Sequence, residues 1–264
     1  MNHRPRKRFG QHFLHDPGII RRIVAAVAPR PGERLAEIGP GQGALTAPLL
    51  EACGELDVVE LDRDLAAALP QRLAGRGHLR VHAADALRFD FRALGPSLRV
   101  VGNLPYNIST PLLFHLLEQA DHIRDMHFML QREVVARMAA PPGARARGRL
   151  SVMIQYHCEV AQLFDIGPGA FRPPPRVESA FVRLVPRARP PVDAGDPGRF
   201  ACLVRQAFSQ PRKTLRNNLR GLLDEQALAD AGVDPRARPA TLTLDAFAAL
   251  ARRLPGPPPQ SGLQ

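Results

Sequence analysis

VVGNLPYNIST, residues 100–110, decides the fold class and contains the first candidate site. The valine pair indicates the end of a buried strand. Pro105 restricts the residue before it to extended geometry, and Ser109 or Thr110 can cap a helix with Pro111 in its first turn. An amide, a rigid carbonyl and a flat ring therefore follow a strand, where open α/β sheets bind their ligands.

The polar groups of this turn suit a flat heterocycle that carries an exocyclic amine, such as adenine. The amide of Asn103 and the backbone carbonyl of Leu104 offer acceptors, and Tyr106 offers a stacking face. A polar turn with one exposed tyrosine explains the same residues, so the rest of the chain decides between the two interpretations.

A glycine turn follows an earlier predicted strand, residues 35–38. Gly39, Gly41 and Ala44 fit the loose spacing of the dinucleotide fingerprint, although glycines also form ordinary tight turns. Glycines after a strand let the backbone approach a ligand, and the helix that follows favours a negative group.

Two further predicted strands, residues 56–62 and 78–83, end in acidic residues. Glu60 lies about twenty residues after the glycine turn, where such folds bind ribose hydroxyls, with Asp62 as the second candidate or a helix cap. Asp85 is either another helix cap or an acceptor for an adenine amino group. The series of strand ends predicts a Rossmann-like α/β sheet.

The chain has 264 residues and a formal net charge of +11, carried mostly by arginine. An excess of this size favours a nucleic-acid partner, although an arginine-rich proteome explains the choice of arginine over lysine. No apolar run is long enough for a membrane span and the basic N-terminus lacks the apolar region of a secretory signal. The three cysteines are scattered, which favours a reducing compartment and predicts no metal site.

The N-terminal segment joins a basic arm, residues 4–8, to FGQHFL at 9–14 and to a helix capped by Asp16. It is either a frayed terminus or a bound, functional segment.

Further on, the basic loop 141–149 is either a linker or a phosphate contact made by Arg145, Arg147 and Arg149. A proline-held segment, residues 164–175, presents Phe171, for which a core position is the alternative.

A change of composition at residues 186–197 predicts a domain boundary. The predicted domains are residues 1–186, a Rossmann-like domain with the basic arm, and 197–254, a small all-helical domain that binds RNA. Residues 255–264 are predicted to be a disordered tail. In the helical domain a leucine stripe lies beside a basic face at four-residue steps, Arg212, Arg216 and Arg220, with Lys213 next to it. This face is either an ordinary solvated surface or an RNA contact.

Several motifs together resemble the S-adenosylmethionine-dependent adenine N6-dimethyltransferases of ribosomal RNA. They are EIGPG at 37–41, ELD at 60–62, Asp85 and NLPY at 103–106. FGQHFL at 9–14, FRPPPRVES at 171–179 and FSQPRKTLR at 208–216 extend the resemblance to nearly the whole chain. These last motifs favour the KsgA branch over the Erm resistance branch.

The resemblance implies a Rossmann-like methyltransferase sheet with a small C-terminal helical domain. It also implies that the methyl donor is held by His12, Leu14, Gly39, Gly41, Glu60, Asp85 and Asn103. The family often has Asn where this chain has His12. The target adenine is expected at Asn103 and Leu104, between the rings of Tyr106 and Phe171.

The implied function is dimethylation of two adjacent adenosines in the 3′-terminal hairpin of 16S rRNA during assembly of the 30S subunit. The resemblance implies a cytoplasmic enzyme without a metal, and we expect a monomer. One alternative is a non-catalytic RNA-binding assembly factor on the same fold. Another is methylation of DNA adenine or of a glutamine amide, which Leu104 disfavours because those families place a second proline there.

Overall fold

The structure is a computed structural model of the chain and describes residues 12–254. These residues form two compact units, the first made of residues 12–135 and 161–186 and the second of 136–160 and 187–254. No helix among the described residues is long and apolar enough to cross a membrane. The predicted arm at 4–8 and tail at 255–264 lie outside the described residues.

A seven-stranded sheet is the centre of the first unit. Its strand order is β4-β3-β2-β5-β6-β9-β7; the strands from β4 to β6 are parallel and β9 is antiparallel to β6. This arrangement confirms the predicted α/β class. The strands of the chain are β1 Phe13–Leu14, β2 Leu35–Ile38, β3 Glu55–Glu60, β4 His78–Ala83, β5 Leu98–Asn103, β6 Ile123–Gln131, β7 Cys158–Ile166, β8 Phe171–Arg172 and β9 Ser179–Pro186.

The inner strands form because their side chains are apolar on both faces and become buried between layers of helices. All four residues of β2 are buried, and five of the six in β5. The helices of this part of the chain are α1 Pro17–Val27, α2 Thr46–Cys53, α3 Arg63–Arg72, α4 Ser109–Leu117 and α5 Arg132–Met138.

The parallel register brings the carboxyl ends of four strands to one edge. Ile38 at the end of β2 pairs with Val59 of β3 and with Gly102 of β5. Glu60 at the end of β3 pairs with Ala83 of β4. The predicted site residues that follow these strands therefore share one edge of the sheet.

The N-terminal segment is held by the pairing of β1 and by the helix that follows β1. Strand β1 pairs antiparallel with β8, with Leu14 opposite Phe171. Asp16 caps α1 as predicted, because its carboxylate accepts from the backbone N–H groups of Gly18 at 2.7 Å and Ile19 at 2.9 Å. We call residues 12–14 the strap.

The second unit is mostly helical. Its helices are α6 Arg149–His157, α7 Pro197–Ala207, α8 Leu215–Asn218, α9 Glu225–Asp230 and α10 Leu244–Ala251. The sequence predicts residues 136–160 in the first domain, whereas their contacts belong to the second unit. Within that unit the ring of Tyr156 on α6 stacks on Phe200 of α7, with centroids 4.1 Å apart, which accounts for the difference.

Candidate active site

A cavity opens at the carboxyl edge of the sheet in the first unit. It is lined by residues from the strap, from the glycine turn after β2 and from the ends of β3, β4 and β5. The lining contains every residue predicted for the donor, namely His12, Leu14, Gly39, Gly41, Glu60, Asp85 and Asn103, together with Leu104 and Tyr106. Their roles in binding stay predictions, but the structure brings them together.

The turn after β2 needs glycine for two reasons. Gly39 and Gly41 have φ of 68° and 56°, a left-handed backbone that residues with a side chain rarely adopt. A Cβ on Gly41 would also lie 3.0 Å from the ring of Phe13 on the strap. The turn and the strap therefore pack directly against each other at the cavity wall.

Glu60 is held rigidly by the backbone around it. Its two carboxylate oxygens accept from Asp62 N at 2.8 Å and from Gly41 N at 3.1 Å. Burial raises the pKa of Glu60, although both hydrogen bonds oppose the rise. Each oxygen keeps a further lone pair for a ligand hydroxyl, so the fixed carboxylate suits the predicted ribose contact.

The two neighbouring aspartates act as helix or turn caps. Asp62 accepts from Asp64 N at 3.1 Å and caps α3, which is the alternative considered for it. Asp85 accepts from Leu87 N at 3.0 Å through Oδ1 and also lines the cavity. The cap uses one oxygen of Asp85, so the other is available to an amino group of a ligand.

Glu37, the third residue of strand β2, lines the cavity, and the sequence assigns it no role. It is 2% exposed, and its Oε2 has no hydrogen-bond partner among the described residues. Burial raises its pKa to about 8, and the nearby charge of Glu60 adds to the rise. Burial therefore favours the neutral form of this carboxyl.

The Asn103 amide and the Leu104 backbone are fixed at the end of β5. Asn103 Nδ2 donates to the carbonyl oxygen of His12 at 2.8 Å, and Leu104 N donates to Met129 O at 3.3 Å. Only the NH₂ end of an amide can donate to a carbonyl, so the bond to His12 fixes which end of the side chain is which. Oδ1 of Asn103 is left as an acceptor.

Tyr106 is positioned by Ser179, a residue to which the sequence assigns no role. Its phenol oxygen lies 2.7 Å from Oγ of Ser179, which is 1% exposed at the start of β9. On its face it contacts the imidazole of His12, with ring centroids 5.6 Å apart and planes inclined by 28°. Only the three-dimensional structure brings these three residues together.

Phe171 does not lie where the sequence predicts. It is 2% exposed, belongs to the hydrophobic core beneath β1 and is not part of the cavity lining. The pairing of β8 with β1 turns this side chain inward, so the alternative of a core phenylalanine is the one observed. Phe171 as the second wall opposite Tyr106 therefore has no support in the cavity lining.

The three arginines of the basic loop before α6 differ in exposure. Arg145 is exposed, as a phosphate contact requires. Arg147 is 5% exposed, and its guanidinium donates to Ala140 O, Gln155 Oε1 and Leu242 O at 2.8, 3.0 and 3.1 Å. The prediction that Arg147 binds RNA is wrong, because its donors are used inside the second unit. Arg149 is half-buried, and burial lowers its pKa.

The C-terminal basic residues are exposed, but they do not share one helical face. Helix α8 covers only four residues, so Arg212 precedes it and Arg220 follows it. Asn218 holds the turn before the helix by donating to Ala207 O at 2.7 Å and Gln210 O at 3.1 Å. The exposed cations are Arg212, Lys213, Arg216 and Arg220, of which Arg216 lies 3.6 Å from Glu225.

The fold and the cavity define an α/β protein of the Rossmann-like methyltransferase class. Two solved structures support this over most of the chain. The 23S rRNA methyltransferase ErmE is 29% identical with a TM-score of 0.69 and covers 92% of this chain and 99% of its own. A dimethyladenosine transferase from Plasmodium falciparum has a TM-score of 0.74 at 24% identity, covers 90% and 96%, and shows the fold alone.

The chain belongs to the ribosomal RNA adenine dimethylase family, whose model matches residues 2–254. It is therefore a methyltransferase, and the resemblance seen in the sequence is confirmed. The ribosomal RNA small subunit methyltransferase A of Pseudomonas putida is 60% identical over 255 residues, 96% of each chain. The protein of the same name from Methylococcus capsulatus is 59% identical over 256 residues, 96% of this chain and 99% of that one.

Proposed function

We propose that this chain transfers methyl groups from S-adenosylmethionine to N6 of two adjacent adenosines in the 3′-terminal hairpin of small-subunit rRNA. The observation that carries the proposal is the amide and carbonyl pair of Asn103 and Leu104 at the edge of a cavity that suits the donor. The names of the relatives, which are 56–60% identical, support the small subunit as the substrate.

The cavity residues fit the donor. The carboxylate of Glu60 would accept the ribose hydroxyls, and Asp85 would accept from the adenine amino group. Gly39 has no side chain and has a positive φ, so its backbone could approach the methionine part closely. Oε2 of Glu37 is buried without a hydrogen-bond partner among the described residues, so it could accept from the ammonium group of the donor's methionine part. When bound, S-adenosylmethionine supplies an electrophilic methyl group on a sulfonium.

The target amine would be oriented by two acceptors. The exocyclic nitrogen of adenine is a weak nucleophile because its lone pair is delocalised into the ring. Asn103 Oδ1 and Leu104 O would accept its two N–H bonds, which favours a pyramidal nitrogen with a localised lone pair. The chain therefore contributes positioning and electrostatics rather than a strong base.

Tyr106 would hold the flipped base by stacking, worth about 1–3 kcal/mol. The hydroxyl of Ser179 fixes the tyrosine in its plane. The base must leave its stack to reach the cavity, which costs less in an RNA loop than in a duplex. The net charge of +11 supports an rRNA partner, which we take to be an immature 30S particle met in the cytoplasm by a single chain.

Asn103→Ala tests the proposal. We expect it to abolish methyl transfer while RNA binding survives, because the amide orients the amine but adds little to the interface. The chain is incubated with labelled S-adenosylmethionine and small subunits that lack the modification, and the nucleosides are separated. Dimethyladenosine is expected from the wild-type chain only.

Asn217→Ala is the matched control, since it removes an exposed amide in the second unit. It should keep wild-type turnover. Near-normal turnover by Asn103→Ala would contradict the positioning mechanism. Labelled DNA or protein without labelled rRNA would instead support one of the other methyltransferase functions.

A further inference from the structure

A second, open depression lies in the first unit, where β6 ends and β9 begins. Its lining comes from the end of β6, the start of α5 and the segment before β9: Gln131, Arg132, Glu133, Val177 and Glu178. None of these five residues belongs to the described lining of the cavity, and the proposed reaction gives them no role. The depression is therefore a separate feature of the same sheet.

The register of the sheet places this depression next to the position proposed for the target base. Side chains two positions apart on a strand point to the same face, so Gln131 lies on the same side of β6 as Met129, which lines the cavity. Gln131 pairs with Ser179 of β9, whose hydroxyl lies 2.7 Å from the phenol oxygen of Tyr106. The two strand positions span about 7 Å, the length of two stacking steps of a nucleic acid. The nucleotide next to a flipped base at Tyr106 is thus within reach of the depression.

The charges of the lining suit a base and disfavour a phosphate. Arg132 and Glu178 form an ion pair with each other, and the backbone N–H of Arg132 donates to Glu178 O at 3.0 Å. Glu133 adds a second carboxylate, so the lining carries more negative than positive charge. A phosphate would meet these carboxylates, whereas a base is neutral.

Two side chains of the depression offer contacts that nothing else in the described part of the chain uses. Val177 is 44% exposed, so its apolar surface is left uncovered. The amide of Gln131 makes no side-chain hydrogen bond to another described residue, and it offers both a donor and an acceptor. Flipping the target out of its stack uncovers one face of the neighbouring base, which then needs a new contact.

We propose that this depression is a subsite for the base of the nucleotide adjacent to the target adenosine. Gln131 contacts the edge of that base and Val177 its uncovered face. The proposal rests on the proposed function, because it concerns the RNA that this reaction modifies. The subsite requires no particular base, since every base has a flat face and an edge with donors and acceptors. It replaces stacking that the neighbour loses, so it lowers the cost of flipping the target.

Two substitutions remove the two contacts. We expect Gln131→Ala to raise the KM for the rRNA substrate by about 5- to 140-fold, the range of one well-placed contact to a base. Val177→Ser should raise it several-fold. The kcat and the Kd of S-adenosylmethionine should change little in either variant, because neither side chain lines the cavity.

Matched controls make the same changes elsewhere in the first unit. Gln71→Ala removes an exposed amide of α3, and Leu163→Ser removes an apolar side chain of β7 that is 38% exposed. Both should keep the wild-type KM. Gln131→Ala should also keep the wild-type salt dependence of RNA binding, since a contact to a base releases no counterions.

An abasic substrate shows whether the effect passes through the neighbouring base. Small subunits are reconstituted with rRNA whose 3′ hairpin is synthetic and lacks the base on the 5′ or the 3′ side of one target adenosine. When the missing base is the one that the subsite holds, Gln131→Ala and Val177→Ser should have the same KM as the wild-type chain. With the base missing on the other side, both variants should stay impaired.

Each other outcome overturns the subsite. Wild-type KM values for both variants would mean that the depression does not contact the RNA. Equal impairment on all three substrates would mean that the neighbouring base is not involved. A flatter salt dependence would indicate a phosphate contact, and a changed donor Kd an effect on the cavity.

Dimethyladenosine formation by the wild-type chain on unaltered subunits is measured first. Its absence would overturn the proposed function itself. Its presence together with unaffected variants would overturn the subsite alone.

Discussion

Glu37 is a side chain whose charge is set by burial at the end of β2. A carboxyl in the unfolded chain has a pKa of about 4.3. In the fold burial raises the pKa of Glu37 to about 8. Between these two values the folded protein binds more protons than the unfolded chain, so the free energy of unfolding falls as pH rises. Glu37 therefore lowers the free energy of unfolding as pH rises, and a cation bound beside it would reduce this loss.

Glu37→Gln should flatten this pH dependence, because the amide has the same shape and no charge to lose. A pKa shift of one unit is worth about 1.4 kcal/mol, so Glu37 alone should cost the wild-type chain about 2–3 kcal/mol between pH 6 and 8. Urea unfolding at several pH values measures the difference. The raised pKa of Glu60 acts in the same direction, so the variant keeps a smaller slope.

Glu51→Gln provides the comparison for that experiment. It makes the same change on an exposed glutamate of α2, which pairs with Arg76 at the surface, and should keep the wild-type slope. Equal slopes for all three chains would mean that Glu37 is ionised in the folded protein at neutral pH.

At the scale of the elements, the loop before α6 shows why exposure decides the role of an arginine. Arg147 satisfies three buried oxygens of the second unit, whereas Arg145 is exposed two residues earlier. Removing a buried donor leaves each partner without a hydrogen bond, at about 1–3 kcal/mol for each group. Substitution of Arg147 should therefore lower stability, whereas substitution of Arg145 should weaken RNA binding.

Arg147→Ala should lower the free energy of unfolding by roughly 2–4 kcal/mol, while the folded fraction binds RNA as the wild type does. Arg145→Ala should leave stability within about 0.5 kcal/mol and weaken RNA binding at low salt. Urea unfolding and filter binding on the same preparations distinguish the two effects. A stable Arg147→Ala protein with weakened binding would restore the original prediction for Arg147.

The strands that position the cavity could be predicted from the sequence, because parallel strands buried on both faces show as apolar runs. Strand β7 was not, since most of its residues between Cys158 and Ile166 are partly or fully exposed and show no alternation. The leucine stripe predicted one long helix, whereas α8 ends at Asn218 and turns follow. The burial of Phe171 and Arg147 could not be predicted from residue type. It depends on partners far along the chain, Leu14 for Phe171 and Leu242 for Arg147.

At the scale of the whole molecule, we expect the net charge of +11 to attract RNA at a distance and exposed cations to contact particular phosphates. The two contributions respond differently to salt. Each phosphate contact releases counterions and steepens the decline of affinity with salt by about 0.7–0.9 logarithmic units, whereas distant charges act mainly through screening. Arg212 and Lys213 are candidates for direct contacts, since Asn218 holds their turn in place.

Charge reversal at both positions, Arg212→Glu with Lys213→Glu, should therefore weaken RNA binding at low salt and flatten its salt dependence by roughly 1.4–1.8 units, the value of two contacts. Arg63→Glu with Arg72→Glu changes the net charge equally, from +11 to +7, at two exposed positions of α3. It should lower affinity modestly and keep the wild-type slope. If both pairs gave the same slope, RNA would sense only the total charge, and the turn before α8 would have no special part in binding.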